Sequence, residues 1–252
     1  LQHLDGHSHV LASTVPTCRS YDPTYAYELA VIVHDGMQRM YGPAQESVLY
    51  YVTVMNEQYA MPAMPEGVEE GIVKGMYLLQ KGAEGKGARV QLLGSGTILR
   101  EVIEAAKLLE SDFGVGSDIW SVTSFTELSR EGDVVRRRNM LHPGGEPQKS
   151  YVETCLEGHA GPVVAATDYM KLYAEQIRPY VSGRRYVTLG TDGFGRSDTR
   201  EGLRKFFEVD RHYVVVAALS ALADEGAVPR ERVQEAIDKY GIDPDKPHPA
   251  HA

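Results

Sequence analysis

Cysteine is scarce in this chain: its 252 residues include only Cys18 and Cys155, far apart and in no CxxC pair. That argues against a disulfide framework and suits a reducing compartment, so the expected location is the cytoplasm. Positive charge is also in deficit, with 26 Lys and Arg against 35 Asp and Glu and a net charge of -9. An acidic balance argues against nucleic acid and anionic membrane as main partners. No apolar run approaches the ~20 residues that a membrane helix needs. No basic segment followed by an apolar core marks a targeting sequence. An initiator Met is missing as well. The chain opens on Leu1 inside what reads as an active-site loop, and is therefore expected to be a portion of a larger polypeptide.

What is present reads as an α/β protein. The chain is 42% hydrophobic and 24% charged, as globular proteins are, and long enough for one large domain or two modest ones. Residues 1–17 are polar and loop-like. Asp22 and Pro23 are placed to open a helix as N-cap and first turn. Its apolar spacing runs to Met40, where Gly42-Pro43 stops it. Residues 48–55 are β-branched and aromatic, as in a buried strand. Residues 56–68 form a loop, and 69–80 a short helical or strand-like stretch. Three glycines in 81–87 mark a boundary. Beyond it, strands are expected at 90–94, 117–123, 161–167 and 185–190. Helices are expected at 98–110, 168–180, 199–206, 212–224 and 230–239, with a helical turn at 126–129, a loop at 139–150 and a loose tail at 247–252. Strands alternating with helices predict an α/β sandwich with a mostly parallel sheet.

Several constellations carry possible chemistry. His3, Asp5, His7 and His9 are metal-ligand types, but no fourth partner or CxxC accompanies them. Imidazole also donates, accepts or shuttles protons near neutral pH, and a polar loop can carry it for structure alone. Gly94-Ser95-Gly96 lies between a strand and a helix, where backbone N–H groups could meet an anion. It lacks the third glycine of a dinucleotide turn, so a tight turn is the simpler reading. Gly190–Asp198 is a glycine-dense, charged loop after a strand, serving turns or a site entrance. Asn56-Glu57 follows a strand, where α/β proteins place ligand groups. Arg136-Arg137-Arg138 reads as a solvated face. Tyr21, Tyr25, Tyr27, Tyr50 and Tyr51 read as core or interface aromatics.

Longer strings carry a resemblance. The segments 3–9, Ser20-Tyr-Asp-Pro-Thr-Tyr-Ala-Tyr27, Met61-Pro-Ala-Met-Pro-Glu-Gly67, 90–96, Val122-Thr-Ser-Phe-Thr-Glu-Leu128, Asn139-Met-Leu-His-Pro143, Ala166-Thr-Asp-Tyr-Met-Lys171 and 189–198 are collinear with one family. Over essentially its whole length the chain resembles the C-terminal part of the homodimeric pyruvate dehydrogenase E1 component, within the thiamine-diphosphate-dependent transketolase superfamily. The resemblance implies that residues 1–80 are the end of a pyrimidine-binding-type α/β domain. It implies a linker at 81–87 and a transketolase C-terminal-type domain at 88–252. It implies decarboxylation of pyruvate and reductive acetylation of lipoamide on the E2 component, in a homodimer. Thiamine diphosphate and Mg²⁺ belong to the full-length parent, and none is expected to be held by this chain alone. Asp192-Gly193 matches the opening of the family's diphosphate and Mg²⁺ motif only superficially, because Asn56 and Asn139 both precede it and no Asn follows. The motif, the cofactor-activating Glu and the cofactor-binding residues are expected upstream of Leu1. His3 matches the family's active-site histidine, and Asp5, His7 and His9 its substrate-contacting loop. Leu4 stands where the resemblance predicts Glu. Two alternatives stay open: a catalytically inactive dimerisation or regulatory module when isolated, and a small metal-dependent hydrolase built on His3, His7 and His9.

Overall fold

A computed structural model describes residues 5–82, Gly85 and 87–252. The first layer holds two parallel strands, β1 (Cys18–Tyr21) and β2 (Leu49–Val52), with Cys18 opposite Leu49. The crossover between them is helix α2 (Ala26–Tyr41), the connection that parallel strands require. Helix α1 (Ser8–Ser13) precedes β1, within a stretch expected to be loop. Ile32 of α2, Ile72 of α3 (Glu69–Lys74), Tyr21 and Tyr77 pack into one small core.

Gly75, at φ 113°, turns α3 into β3 (Met76–Gln80). A side chain there would lie 2.5 Å from the Ser124 carbonyl oxygen, so the turn requires glycine. The second sheet has the order β3-β5-β4-β6-β7, with β4 (Arg89–Gly94), β5 (Gly116–Val122), β6 (Val163–Ala166) and β7 (Tyr186–Leu189) parallel. Only β3, at the edge, is antiparallel. The 81–87 segment, expected as a linker, therefore connects two strands of one sheet.

Helices cover both faces, and strand residues alternate between two cores. Val90, Leu92, Ile119 and Val164 face α4 (Ile98–Phe113) and α9 (Arg211–Asp224), with α10 (Glu231–Tyr240) outside. Leu93, Trp120, Val122 and Ala165 face α5 (Phe125–Leu141), α6 (Tyr151–Leu156) and α7 (Lys171–Glu175). Each fully buried Leu or Val contributes about 1.5–3 kcal/mol. The near-continuous apolar run of β4 fits a strand buried on both sides.

Local differences from expectation have physical causes. Helix α5 runs for 17 residues instead of one turn. Ser124 caps it by accepting from Glu127 N, while Arg136, Arg137 and Arg138 stay exposed, so its outer half shows little apolar periodicity. The helix expected over 168–180 is reduced to α7 and a 3-10 turn at Arg178–Tyr180. Pro179 has no N–H to continue an α-helical ladder there. Helix α6 is opened by a reciprocal cap between Ser150 and Glu153. The tail is not loose: Pro249 is buried, and its carbonyl oxygen lies where a side chain on Gly193 would otherwise stand.

Candidate active site at the strand ends

The residue directly after each of five parallel strands is polar: Asp22 after β1, Thr53 after β2, Ser95 after β4, Thr123 after β5 and Thr167 after β6. The fold brings all five together. Asp22 is the hub, with its side chain buried between the two sheets. Thr53 Oγ1 lies 2.9 Å from Asp22 Oδ1, and Ser95 donates to Oδ2 at 3.0 Å. Ser95 Oγ in turn lies 2.9 Å from Thr167 Oγ1. The Asp22 backbone N–H donates to the Thr123 carbonyl at 2.8 Å.

Asp22 thus does not cap α2. That helix begins at Ala26, and Glu28 accepts from the N–H groups of Thr24 and Tyr25 instead. The glycine turn does sit before α4, but the anion against it is the chain's own. A side chain on Gly96 would lie 2.5 Å from Asp22 Oδ2, and Gly96 has φ 50°. Burial pushes the Asp22 carboxyl up to about 7; hydrogen bonds from Thr53 and Ser95 offset this only in part, and the nearby charges of Asp168 and Glu28 add to it.

The His-rich loop lies against this junction. His3 and Leu4 fall outside the described residues. Asp5 is exposed, accepting from Ser8 N at 3.0 Å and, more weakly, from Tyr51 Oη at 3.4 Å. Burial opposes its charge, but bonds from Ser8, His7 and Tyr51 together hold its carboxyl below the ordinary range. His7 is exposed. His9, expected beside them facing substrate, is instead enclosed. Its ring stacks on Tyr173 at 4.6 Å and meets Tyr169 and Tyr51 edge-on. Its Nε2 lies 2.9 Å from Thr53 Oγ1. Burial lowers its pKa to about 4, against the pull of Asp5, so the ring is neutral at pH 7. The apolar second turn of α1 draws His9 inward with it: Val10 packs on the core that holds Tyr169 and Tyr173. The Gly6 carbonyl accepts from Met170 N at 2.9 Å, tying the loop to the segment after β6.

Beside the junction is a cleft of about 630 Å³, lined by Asn56, Asp168, Thr191, Arg196, Arg200 and Arg204 among others. Asn56 accepts from Arg200 at 2.7 Å, and Glu57 pairs with Arg100 and Arg204. These contacts fasten the loop after β2 to α4 and to α8 (Arg200–Phe206). Among the described residues no group of three His, Cys, Asp or Glu could hold a metal. Sequence reasoning missed the hub. The available signal was the polar residue that directly follows five of the strands, the position where open α/β sheets bind ligands.

Comparison with known proteins places this geometry. A family model described as the transketolase-like TK C-terminal domain matches residues 75–210. Another, the pyruvate dehydrogenase E1 component middle domain, matches residues 1–62. The pyruvate dehydrogenase E1 component of Pseudomonas aeruginosa is 65% identical over 99% of the chain, and that of Escherichia coli K12 is 59% identical over 99%. The chain spans 28% of the length of both relatives. Transketolase from Pichia stipitis shares the fold at a TM-score of 0.60 and 16% identity, covering 89% of this chain and 28% of its own. Transketolase from Campylobacter jejuni does so at 0.61 and 17%, covering 86% and 28%. This chain belongs to the transketolase-like family, carries that family's C-terminal domain, and is similar along nearly all its length to the C-terminal part of pyruvate dehydrogenase E1 components.

Proposed function

We propose that these residues serve a cytoplasmic pyruvate dehydrogenase E1 component, an oxidoreductase that decarboxylates pyruvate and passes the acetyl group to lipoamide on E2. The observation that carries the reading is the 65% identity spread over 99% of the chain, with the middle-domain match embracing the whole His-rich loop. In this reading, residues before about 75 close the middle domain, and the five-stranded sheet belongs to the C-terminal domain. The complete enzyme acts as a homodimer with thiamine diphosphate and Mg²⁺.

The glycine turn of this chain does not fit a diphosphate, because the Asp22 carboxylate already lies against it. We infer that residues outside these 252 hold the cofactor's anionic end. The work left to this chain is done by side chains. His3 stabilises or protonates oxygen-bearing groups as pyruvate adds, and moves a proton as acetyl passes to lipoamide. Exposed Asp5 and His7 contact substrate, and His9 holds the loop from inside.

The test uses a polypeptide as long as the curated relatives that carries these residues. His3→Ala is expected to lower pyruvate turnover by roughly 10²–10⁴-fold, the range for acid–base residues. Unchanged turnover would remove His3 from the mechanism.

A further inference from the structure

Proton counting at the hub couples the state of Asp22 to His9. Thr53 has a single hydroxyl proton, yet its Oγ1 lies 2.9 Å from both Asp22 Oδ1 and His9 Nε2. An ionised carboxylate can only accept. Thr53 then donates to Asp22 and must accept from His9, which holds the ring as its Nε2–H tautomer. Among the described residues the other nitrogen, Nδ1, is buried with no partner, consistent with a ring gripped through one atom. A protonated Asp22 can instead donate to Thr53. The Thr53 proton then turns to His9 Nε2, nearer at 2.9 Å than the Tyr21 carbonyl at 3.4 Å, and the ring carries its own proton on Nδ1.

We propose that Asp22 is a positioning residue for the His-rich loop, acting through Thr53 to set the tautomer and seating of His9. This rests on the reading of Asp5 and His7 as substrate-facing. Helix α1 is six residues long, too short to hold its shape unaided. The His9 ring, clasped by Tyr51, Tyr169 and Tyr173, is therefore one of its main anchors, beside the bond from Met170 N to the Gly6 carbonyl. Asp22 in turn gathers the ends of both sheets, so the second sheet's strand ends reach the loop through it. The charged and titratable groups around Asp22 are Glu28 on α2, Asp168 after β6, His9 on α1, and the phenols of Tyr59, Tyr169 and Tyr173. No guanidinium or ammonium group hydrogen-bonds to it among the described residues. Burial places its titration at about 7, so both tautomers of His9 are populated near neutral pH.

The test follows the ring nitrogens of His9 by NMR in ¹⁵N-histidine-labelled chain across neutral pH. The two nitrogens are expected to exchange protonated and bare character with a midpoint near 7, while the ring itself stays uncharged until about 4. Asp22→Asn and Thr53→Val should abolish that step, and Thr53→Ser should keep it. Should Asp22→Asn fail to fold, the two Thr53 variants decide alone. A step that is missing from the unaltered protein, or that survives Thr53→Val, overturns the proposal. In the full-length polypeptide, Thr53→Val should lower kcat roughly 10- to 100-fold with KM unchanged, as for a group misplaced by about 1 Å, and Thr53→Ser should restore it. Turnover lowered by His3→Ala but not by Thr53→Val overturns the positioning role alone. Turnover unmoved by either overturns the functional reading beneath it.

Discussion

Two buried aspartates at opposite ends of the same protein meet opposite surroundings. Asp22, at the carboxyl ends of the strands, is met by the hydroxyls of Thr53 and Ser95 and by the negative charges of Glu28 and Asp168. Asp118 lies towards the other end of β5. There it accepts from Arg89 at 2.6 Å, Gln91 Nε2 at 3.1 Å, Gly82 N at 2.9 Å and His159 Nδ1 at 2.9 Å. Burial alone would raise both carboxyls. At Asp118 the bonds from His159, Gln91, Gly82 and Arg89 outweigh it and bring the carboxyl to about 2. At Asp22 burial wins, and the carboxyl stands at about 7. Both carboxyls are shielded from solvent, but Asp22 lies deeper among protein atoms: deep burial with hydroxyl partners yields a titrating group, and shallower burial among cations and N–H donors a fixed charge. The fixed charge ties β4, β5 and the 160 region together. The titrating group sits beside the loop expected to meet substrate, where perturbed carboxyls concentrate.

The sharpest way to break this contrast is Asp118→Ala. It removes the acceptor shared by Arg89, Gln91, the Gly82 N–H and His159, and should cost about 3 kcal/mol of stability as those donors lose a bond inside the protein, read by denaturant unfolding. A cost under about 1 kcal/mol would mean that the Asp118 cluster is not structural. Gly96→Ala should cost somewhat less. The left-handed backbone alone costs roughly 1–2 kcal/mol, and the new side chain crowds the Asp22 carboxyl. A neutral result would mean that Asp22 does not occupy the turn.

The pH dependence holds two slopes of opposite sign. The folded-state pKa of His9 lies at about 4, below its ordinary value of 6.5, so the unfolded chain binds more protons in that interval. Stability should fall as pH falls from 6.5 towards 4, and His9→Gln should flatten that part of the curve. The folded-state pKa of Asp22 lies above its ordinary value of 3.8, so the folded state binds more protons between there and about 7. Stability should fall as pH rises through that window, and Asp22→Asn should remove the decline. The two slopes oppose each other where the windows overlap, so the single variants are needed to separate them.

The alternating plan of the fold was legible because it is written in local patterns: the apolar run of β4, the amphipathic repeat of α4, the glycines after helices. Helix α5 was not, since its outer half exposes Arg136, Arg137 and Arg138 together with the apolar Val134, Met140 and Leu141, which blurs the apolar repeat. The antiparallel β3 was read as ambiguous, because edge pairing leaves no trace in a five-residue stretch. For the site, the sequence pointed to the right turn but not to its occupant. Gly94-Ser95-Gly96 looks like an anion cradle, and the anion is a carboxylate 73 positions away in the chain. Proximity of that kind follows from how strand ends converge, which no local periodicity reports. The same holds for His9: its spacing beside Asp5 and His7 suggests a shared direction, while the short helix that begins at Ser8 turns it inward.

The most direct test is a titration of the aspartate side-chain carboxyls by ¹³C NMR in the folded protein, with the Asp22 and Asp118 resonances assigned through Asp22→Asn and Asp118→Asn. Asp22 is expected to titrate with a midpoint close to 7, and Asp118 to remain ionised down to about 2. Midpoints for both near the ordinary 3.8 would contradict the account.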